Sequence, residues 1–441
     1  MPTPNTTKSD KAKNNNQSNI TKLKGTQDIR NDQYYQFQGM FEKAQEISEY
    51  YGFKPIETPT IERASTYQKA IGENTDIVEK EMYKFSVKGS DSIALRPEYT
   101  AGIVRAYIED GMVSEPQPIM LYSYGPTFRH EKPQLGRYRE FRQFNLEILG
   151  SDKAVADALV IKTVYDILTD FGFKELIIDI NSMGDTENRQ PYIKDLSSYY
   201  KKLSPSLCKN CQERIKTNPL RLLDCKEPEC QEFKAKAPQI INYLSPDARK
   251  HFKDVLKFLE EMEIPFRINN TLVRGQDYYK RTVFEVIQVH LDEENNEKEL
   301  TICGGGRYDL SKHMGQKKEI PSVGAAMSFE RIVMMPDCQK MNPRIIKNPK
   351  FYFIQLGFEA KLKSLHIIDI LRHAKIPVHQ NLSKDSLGAQ LALASELNIP
   401  YALIFGQKEA MEGNVILRDM KKHEQEIIKI ENLCEYIKKI K

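Results

Sequence analysis

Residues 121–150 read LYSYGPTFRHEKPQLGRYREFRQFNLEILG. Apolar and polar residues alternate at both ends of this stretch, and its polar middle contains Pro133 and Gly136. The pattern predicts two antiparallel strands joined by a loop, and it places Arg129 on the polar face of the first strand. The returning strand carries three polar side chains on one face: Gln143, Asn145 and Glu147. We expect this face to be the floor of a ligand site rather than a solvated surface.

The loop between the two strands concentrates charged side chains around Tyr138. They are His130, Glu131, Lys132, Arg137, Arg139 and Glu140. The basic members are donors suited to phosphate, and a carboxylate among them could hold a metal or the amine of a base. The alternative interpretation is an ordinary amphipathic hairpin with one wet face.

This hairpin resembles motif 2 of the class II aminoacyl-tRNA synthetases, in the form FRHExPxxGRYREF that is typical of histidyl-tRNA synthetases. The helix predicted from Asp32 to Gly52, followed by an extended segment with Pro59 at its centre, resembles motif 1 of the same class. Motif 1 forms the dimer interface in that family. The resemblance therefore implies a homodimer.

Two further stretches resemble motifs specific to histidyl-tRNA synthetases, RGQDYY at 274–279 and GGRYD at 305–309. The segment SVGAAMSFERIVMM at 322–335, which we predict to be helical, resembles motif 3, although Ser328 stands where glycine is common. The junction Arg96-Pro97-Glu98-Tyr99-Thr100 resembles the family's RPExT motif. Without the resemblance, Thr100 would be read simply as a helix cap.

The resemblance implies a role for each matching residue. Arg129 and Arg274 would act in catalysis by holding the α-phosphate of ATP, and magnesium would bind the β and γ oxygens. The other ATP-binding residues would be Glu131, Arg137, Tyr138 and Arg331. The histidine-binding residues would be Glu98, Thr100, Gln143, Glu147, Tyr278, Tyr279 and Tyr308. An acid and a hydroxyl, Glu147 and Tyr279, could together read the donor and the acceptor of a neutral imidazole. Asn145 receives no role.

Four of the seven cysteines lie close together in the sequence, with the spacing C-x2-C-x13-C-x4-C. They are Cys208, Cys211, Cys225 and Cys230. Zinc ligation by thiolates is one interpretation, and free thiols in a reducing compartment are the other.

Length and composition leave room for several domains, because 441 residues with 40% hydrophobic content can form more than one core. We expect an α+β protein whose catalytic domain is built on an antiparallel sheet. Its predicted parts are a disordered polar tail (1–20), the first catalytic part (21–172), a helical insertion domain (173–264) and the second catalytic part (265–340). Strands and helices alternate again in 350–441, which resembles the α/β anticodon-binding domain of class II synthetases.

Net charge is only +4, so any nucleic-acid partner must be held by local basic patches. No apolar run is long enough to span a membrane, and 1–20 has no apolar signal core, so we expect a cytoplasmic protein without a membrane partner.

The resemblance implies an enzyme that activates histidine with ATP, giving histidyl-adenylate and pyrophosphate, and then transfers histidine to the 3' end of tRNA(His). Two alternatives stand beside it. A regulatory subunit of histidine biosynthesis shares the fold, but it lacks the motif carrying Arg274 and usually lacks the terminal domain. A class II synthetase for another amino acid would not be expected to carry RGQDYY and GGRYD.

Overall fold

The computed structural model describes residues 21–72, 75–86, 88–89, 91–132, 136–276, 278–291, 297–344, 349–380 and 386–440. The chain divides into two units, Met1–Pro343 and Arg344–Lys441. The predicted tail at 1–20, Pro133, Asp277 and residues 292–296 lie outside the described residues.

Strands and helices alternate irregularly along the first unit. Its strands are β1 (Lys54–Pro55), β2 (Ile61–Arg63), β3 (Lys84–Phe85), β4 (Ile93–Leu95), β5 (Ile119–Phe128), β6 (Glu140–Leu149), β7 (Leu176–Ser182), β8 (Phe266–Ile268), β9 (Tyr279–Leu291), β10 (Glu297–Tyr308) and β11 (Ser322–Ser328). Its α-helices are α1 (Asn31–Tyr50), α2 (Ala64–Ile71), α3 (Thr100–Glu109), α4 (Ala154–Asp170), α5 (Thr186–Lys202), α6 (Lys209–Thr217), α7 (Pro228–Ala235), α8 (Pro246–Glu261) and α9 (Phe329–Val333).

The described strands of this unit form one eight-stranded sheet, in the order β1-β5-β6-β11-β10-β9-β7-β8, and one small sheet, β2-β4-β3. In the large sheet the edge pairs β1–β5 and β7–β8 are parallel, and the other neighbours are antiparallel. The predicted sheet-based α+β fold is therefore confirmed.

The hairpin predicted from the sequence is the pair β5–β6, in which Tyr124 lies opposite Phe144. Its apolar face packs into a core with α4, where Phe144 and Leu146 are fully buried beside Val160. The polar face is buried as well, whereas an ordinary amphipathic hairpin would expose its polar face to solvent. The alternative interpretation of a wet face is therefore wrong for this hairpin.

The helix predicted over 322–335 is wrong in its first half, because residues 322–328 form strand β11 between β6 and β10. Only Phe329–Val333 is helical. Gly324 lies opposite both Gly306 and Glu147, and a Cβ on Gly324 would come within 1.8 Å of Glu147 Oε2. Glycine and alanine here allow close approach within the sheet, so strand pairing overrides local helix propensity.

Two predicted helix starts also differ in detail. Helix α1 begins at Asn31 rather than being capped by Asp32, and α3 has Thr100 as its first residue instead of its cap. The Thr100 hydroxyl bonds to Glu147, so this side chain serves the sheet face and not the helix end.

The predicted insertion at 173–264 includes elements of the central fold. Strand β7 pairs with β9 inside the large sheet, and helix α8 packs on α4. Between them lie α5, α6, α7 and 3-10 turns at Ser204–Ser206, Pro219–Leu222 and Ile240–Tyr243. We propose that the helical insertion is confined to 186–243.

The second unit contains five described strands in the order β13-β12-β14-β15-β16. They are β12 (Phe351–Gln355), β13 (Val378–Gln380), β14 (Tyr401–Phe405), β15 (Asn414–Asp419) and β16 (Gln425–Lys429). Its helices are α10 (Phe358–His373), α11 (Leu387–Glu396), α12 (Gln407–Glu412) and α13 (Leu433–Lys439). Because β12 is parallel to β13 and β14 while β15 and β16 are antiparallel additions, the predicted mixed α/β domain is present.

Among the helices in the described ranges, none combines the length and apolarity needed to cross a membrane.

Candidate active site

The polar floor consists of Gln143, Asn145 and Glu147, which alternate along β6 in the middle of the large sheet. All three are buried, with exposed fractions of 8%, 1% and 1%. Within the described part of the chain, Gln143 Oε1 and Asn145 Nδ2 have no hydrogen-bond partner. A buried polar atom without a partner costs about 1–3 kcal/mol. The floor is therefore suited to a polar ligand that supplies the missing partners.

Glu147 is held at both carboxylate oxygens. The Thr100 hydroxyl donates to Oε1 and the Tyr308 hydroxyl donates to Oε2, each over 2.7 Å. Burial raises the pKa of Glu147 to about 8, although the two hydroxyl bonds oppose this, and the neighbouring acid Glu98 adds to the rise. A carboxyl group in this environment would be stabilised by a ligand that offers it an N–H group or a positive charge.

Glu98 lies at the start of α3. Its Oε2 accepts the backbone N–H of Thr100 over 2.7 Å, and its Oε1 accepts that of Ala101 over 2.9 Å. Burial raises the pKa of Glu98, and these backbone bonds counteract the rise. Two buried acids, Glu98 and Glu147, thus both bond to Thr100 and make this end of the site acidic.

Three tyrosines form an aromatic cluster beside the polar floor. The ring centroids of Tyr278 and Tyr279 are 4.7 Å apart, and those of Tyr278 and Tyr308 are 5.5 Å apart. All three rings are buried, and burial raises the pKa of each hydroxyl, so the hydroxyls are neutral at physiological pH. The cluster joins the Glu147 side of the site to Arg274, whose Cζ lies 5.7 Å from the Tyr279 ring.

Arg274, in the loop before β9, begins a chain of contacts that crosses strands β9 and β10. Its Nη1 donates to Glu285 Oε1 over 2.5 Å, and the Thr301 hydroxyl donates to Glu285 Oε2 over 3.0 Å. Arg331 Nη1 donates to the Thr301 carbonyl over 2.9 Å. Two arginines are therefore oriented by the same strand pair.

The hairpin loop adds basic groups to this end. Arg129 Nε donates to the Pro97 carbonyl over 2.9 Å, and Arg137 Nη1 lies 3.4 Å from Glu131 Oε2. Gly136 lies next to the backbone of Arg331, and Arg137 is near enough for its charge to lower the pKa of Arg331, after the larger effect of burial. Tyr138, half-buried, follows Arg137 in the same loop. The site is thus basic at one end and acidic at the other.

Known proteins resemble the chain over nearly its whole length. The relative from Desulfitobacterium hafniense (strain DSM 10664 / DCB-2), described as a histidine–tRNA ligase, is 38% identical over 419 residues, which cover 95% of this chain and 97% of the relative. The chain belongs to the histidyl-tRNA synthetase family. A histidine–tRNA ligase of Caldicellulosiruptor bescii is 37% identical, with 94% of this chain and 97% of the relative covered.

Family models and a solved structure agree with this membership. The histidyl-tRNA synthetase model matches residues 25–186, and an anticodon-binding domain model matches 350–440. The apo histidyl-tRNA synthetase of S. aureus has a TM-score of 0.77 at 30% identity, covering 95% of this chain and 100% of that one. The predicted family and the predicted terminal domain are therefore confirmed, and the match at 350–440 argues against the regulatory-subunit alternative.

Two acidic residues of the synthetase fold were not assigned a role from the sequence. Glu285 orients Arg274, and Glu330 accepts the backbone N–H of Arg142 over 2.7 Å and lies 3.3 Å from its guanidinium. The available signal for Glu285 was an acid directly flanked by apolar residues, Phe284 and Val286. For Glu330 it was an acid that directly precedes a predicted ATP-binding arginine.

Arg307, within the GGRYD motif, points away from the site. It is 1% exposed and pairs with the buried Asp157, and its Nη2 also donates to the Lys153 carbonyl over 3.0 Å. Its neighbour Tyr308 faces Glu147 instead, as alternation along β10 requires. One motif therefore supplies both a pocket residue and a core ion pair.

Proposed function

We propose that the acidic end of this site binds histidine and the basic end binds ATP, so that the chain forms histidyl-adenylate before it esterifies tRNA. The observation that carries the proposal is Glu147, a buried acid held by two hydroxyls, for which the described residues provide no basic hydrogen-bond partner. The overall reaction, ligation of histidine to tRNA, is that of the family to which the chain belongs.

Imidazole recognition is assigned to Glu147 and Tyr279. A neutral imidazole has one N–H donor and one acceptor nitrogen, so a carboxyl oxygen and a phenol hydroxyl can address both. Thr100 and Tyr308 fix the orientation of the Glu147 carboxyl group. A ring lacking either nitrogen would leave one of these buried groups unpaired, which supports discrimination by about 10⁴-fold without editing. Tyr278 packs against both other tyrosines and shapes the pocket wall.

The α-ammonium group is assigned to Glu98, Thr100 and Gln143. An ammonium group carries three donors and a positive charge, which suits two acceptors and an anion. Gln143 Oε1 is a buried acceptor without a partner in the described residues, and Glu98 supplies the negative charge. This arrangement leaves the histidine carboxylate directed away from the acids.

Adenylate formation requires one carboxylate oxygen of histidine to attack the α-phosphorus of ATP while pyrophosphate leaves. Two anions must approach each other, so catalysis depends on position and charge neutralisation, without a protein nucleophile. We assign Arg129 and Arg274 to the α-phosphate and Arg331 to the γ-phosphate. Glu131 is assigned to the adenine amine, with Arg137 and Tyr138 in the loop that covers the nucleotide.

Magnesium is proposed to enter with the phosphates. Among the described residues, the only group of three or more candidate ligands is formed by cysteines outside this site, so the chain offers no preformed magnesium cage here. This fits the usual preference of Mg²⁺ for substrate phosphates, water and one or two carboxylates. The bound ion would neutralise charge on the departing pyrophosphate.

Histidine-dependent exchange of labelled pyrophosphate into ATP tests the first step. We expect exchange with histidine and none with the other amino acids, which serve as controls. A folded protein without histidine-dependent exchange would end this proposal. Attachment of labelled histidine to a tRNA(His) transcript, compared with a second tRNA, tests the transfer step.

We also propose that the chain acts as a cytoplasmic homodimer and that residues 350–441 contact the tRNA anticodon. The first idea rests on the resemblance of residues 32–62 to motif 1 and on two apolar side chains of the small sheet, Ile61 and Phe85, which are 56% and 46% exposed. Light scattering of the purified protein should give twice the 51.0 kDa chain mass. A single-chain mass at micromolar concentration would reject the dimer.

A further inference from the structure

Four cysteine sulfurs converge in the helical insertion, away from the site described above. They belong to Cys208, Cys211, Cys225 and Cys230, and all four Sγ atoms lie within 4.8 Å of one another. The Sγ atoms of Cys208 and Cys225 are 3.9 Å apart. We propose that these four thiolates bind a structural zinc ion.

The spacing of the sulfurs distinguishes zinc from a disulfide pair. With zinc–sulfur bonds of about 2.3 Å, a regular tetrahedron has sulfur–sulfur edges of about 3.8 Å. A disulfide would need about 2.05 Å, and all four cysteines are free. An iron–sulfur cluster would place several metal atoms between the thiolates and would hold them farther apart. A single tetrahedral ion therefore fits these sulfurs best.

Secondary structure places the ligands in two pairs. Cys208 precedes α6 and Cys211 lies in its first turn, so C-x2-C brings their sulfurs to the same helix end. Cys225 follows the turn Pro219–Leu222, and Cys230 lies in the first turn of α7. The backbone N–H of Cys208 donates to Cys230 Sγ over 3.5 Å, which ties one pair to the other. Such N–H···S contacts stabilise a thiolate.

Burial gives the site the character of a structural centre. Cys211, Cys225 and Cys230 are at most 4% exposed, while Cys208 is half-buried and marks the side from which an ion could enter. Four sulfur ligands leave no coordination position for water or substrate, which is the arrangement of a closed zinc site. We therefore assign the ion a role in folding and none in the reaction.

The two helices that carry Cys211 and Cys230 are short. Helix α6 has nine residues and α7 has eight, and a four-residue 3-10 turn, Pro219–Leu222, lies between them. Isolated helices of this length are marginal in water. A metal ion held by ligands from both helices would couple its binding free energy to their folding. An ion pair between Arg221 and Asp76 then fastens this segment to the catalytic body.

Zinc content tests the assignment on full-length protein purified without a chelator. Mass spectrometry of the metal should give about one zinc ion per chain. Cys211→Ser and Cys230→Ser should each lower this content at least tenfold. Cys434→Ser, which removes a half-buried thiol of the second unit, should leave it unchanged. Because a ligand variant could fail to fold, cobalt exchange into the wild type provides a second reading: visible absorption of tetrahedral cobalt thiolate is expected.

Two results would overturn the proposal. One is a zinc content near zero together with no cobalt thiolate absorption in folded wild-type protein. The other is a low thiol count: protein denatured with a chelator and no reductant should show all seven cysteines as thiols. A count of five or three would mean that the cluster forms disulfides. Neither measurement depends on catalytic activity, so failure here would leave the proposed reaction untouched.

Discussion

Arg274 donates a 2.5 Å hydrogen bond from Nη1 to Oε1 of Glu285. This contact directs the guanidinium over Gly304, where a Cβ would come within 2.3 Å of the same nitrogen. Burial disfavours the charged form of Arg274, but Tyr279 and Glu285 outweigh it and hold its pKa above the ordinary value. The arginine is thus charged and oriented before any phosphate binds, which is how preorganised groups stabilise developing charge.

Replacing Arg274 with alanine should slow adenylate formation by about 10³-fold, because a charge on the α-phosphate is lost in the transition state. Binding of tRNA should change less than twofold, since the substitution lies at the nucleotide end. Pyrophosphate exchange and filter binding measure the two effects. Arg274→Lys should show an intermediate rate because it keeps the charge without the planar fork. Equal loss of exchange and tRNA binding would contradict this role.

Glu285→Gln tests the orienting contact separately from the charge of Arg274. The amide keeps the size of the side chain but weakens a charge-assisted bond, so we expect kcat/KM for ATP to fall about tenfold while KM for histidine stays constant. Glu299→Gln is the matched control, because it changes an acid on the adjacent strand that pairs with Arg267. If both variants lose activity to the same extent, the loss comes from a general disturbance of the sheet and not from a changed orientation of Arg274.

Glu147 should make the stability of the ligand-free protein depend on pH. Its pKa is raised from 4.5 to about 8, chiefly by burial. The folded state therefore holds this proton more tightly than the unfolded state, and the resulting stability is present below about pH 4.5 and lost as pH rises to about 8. The pH-dependent part of the free energy of unfolding is on the order of a few kcal/mol. Glu147→Gln removes this titration, so the denaturation midpoint of wild type should fall relative to the variant between pH 5 and 8. A difference between the two midpoints that does not change with pH would contradict a raised pKa at Glu147.

The same substitution, Glu147→Gln, should impair histidine recognition. The amide would retain the shape of the side chain but would offer an imidazole N–H only a neutral acceptor. Its NH₂ group would also place a donor against the Thr100 or Tyr308 hydroxyl, which donates to the carboxyl group in the wild type. We expect KM for histidine in pyrophosphate exchange to rise at least 10²-fold, with KM for ATP unchanged. Asp309→Asn, one residue beyond Tyr308, is a control for general disturbance of this strand end. A parallel rise in both KM values would show that Glu147 does not recognise the imidazole.

The hairpin and its polar row could be predicted because alternation with period two fixes which residues share a face. Burial of Asn145 and Glu147 then follows from their central strand. The strand at Ser322–Ser328 could not be predicted, since its small residues favour no single local structure and their partners lie far away in sequence. The orientation of Arg307 into the core depends in the same way on a helix 150 residues earlier.

The contacts made by Glu285 were also beyond sequence reasoning. Alternation places Glu285 on one strand face, but it does not say that Arg274 crosses over that face. Likewise, the spacing of the four cysteines is compatible with free thiols, and their convergence becomes apparent only when α6 and α7 are packed together. Sequence patterns indicate which side chains share a strand face, whereas contacts between residues distant in sequence become apparent only in the folded structure.

Asp157→Asn should destabilise the fold by about 3–5 kcal/mol, because it leaves the charge of Arg307 buried without its partner. Burial alone would raise the pKa of Asp157, but Arg307 and His251 hold it below the ordinary 3.8. The stability from this pair is therefore present above that value and is lost as pH falls below it. Denaturant midpoints at pH 7 measure the loss. Asp254→Asn, in an exposed pair with Lys250, should leave the midpoint unchanged, and equal midpoints for both variants would show that the buried pair contributes nothing to stability.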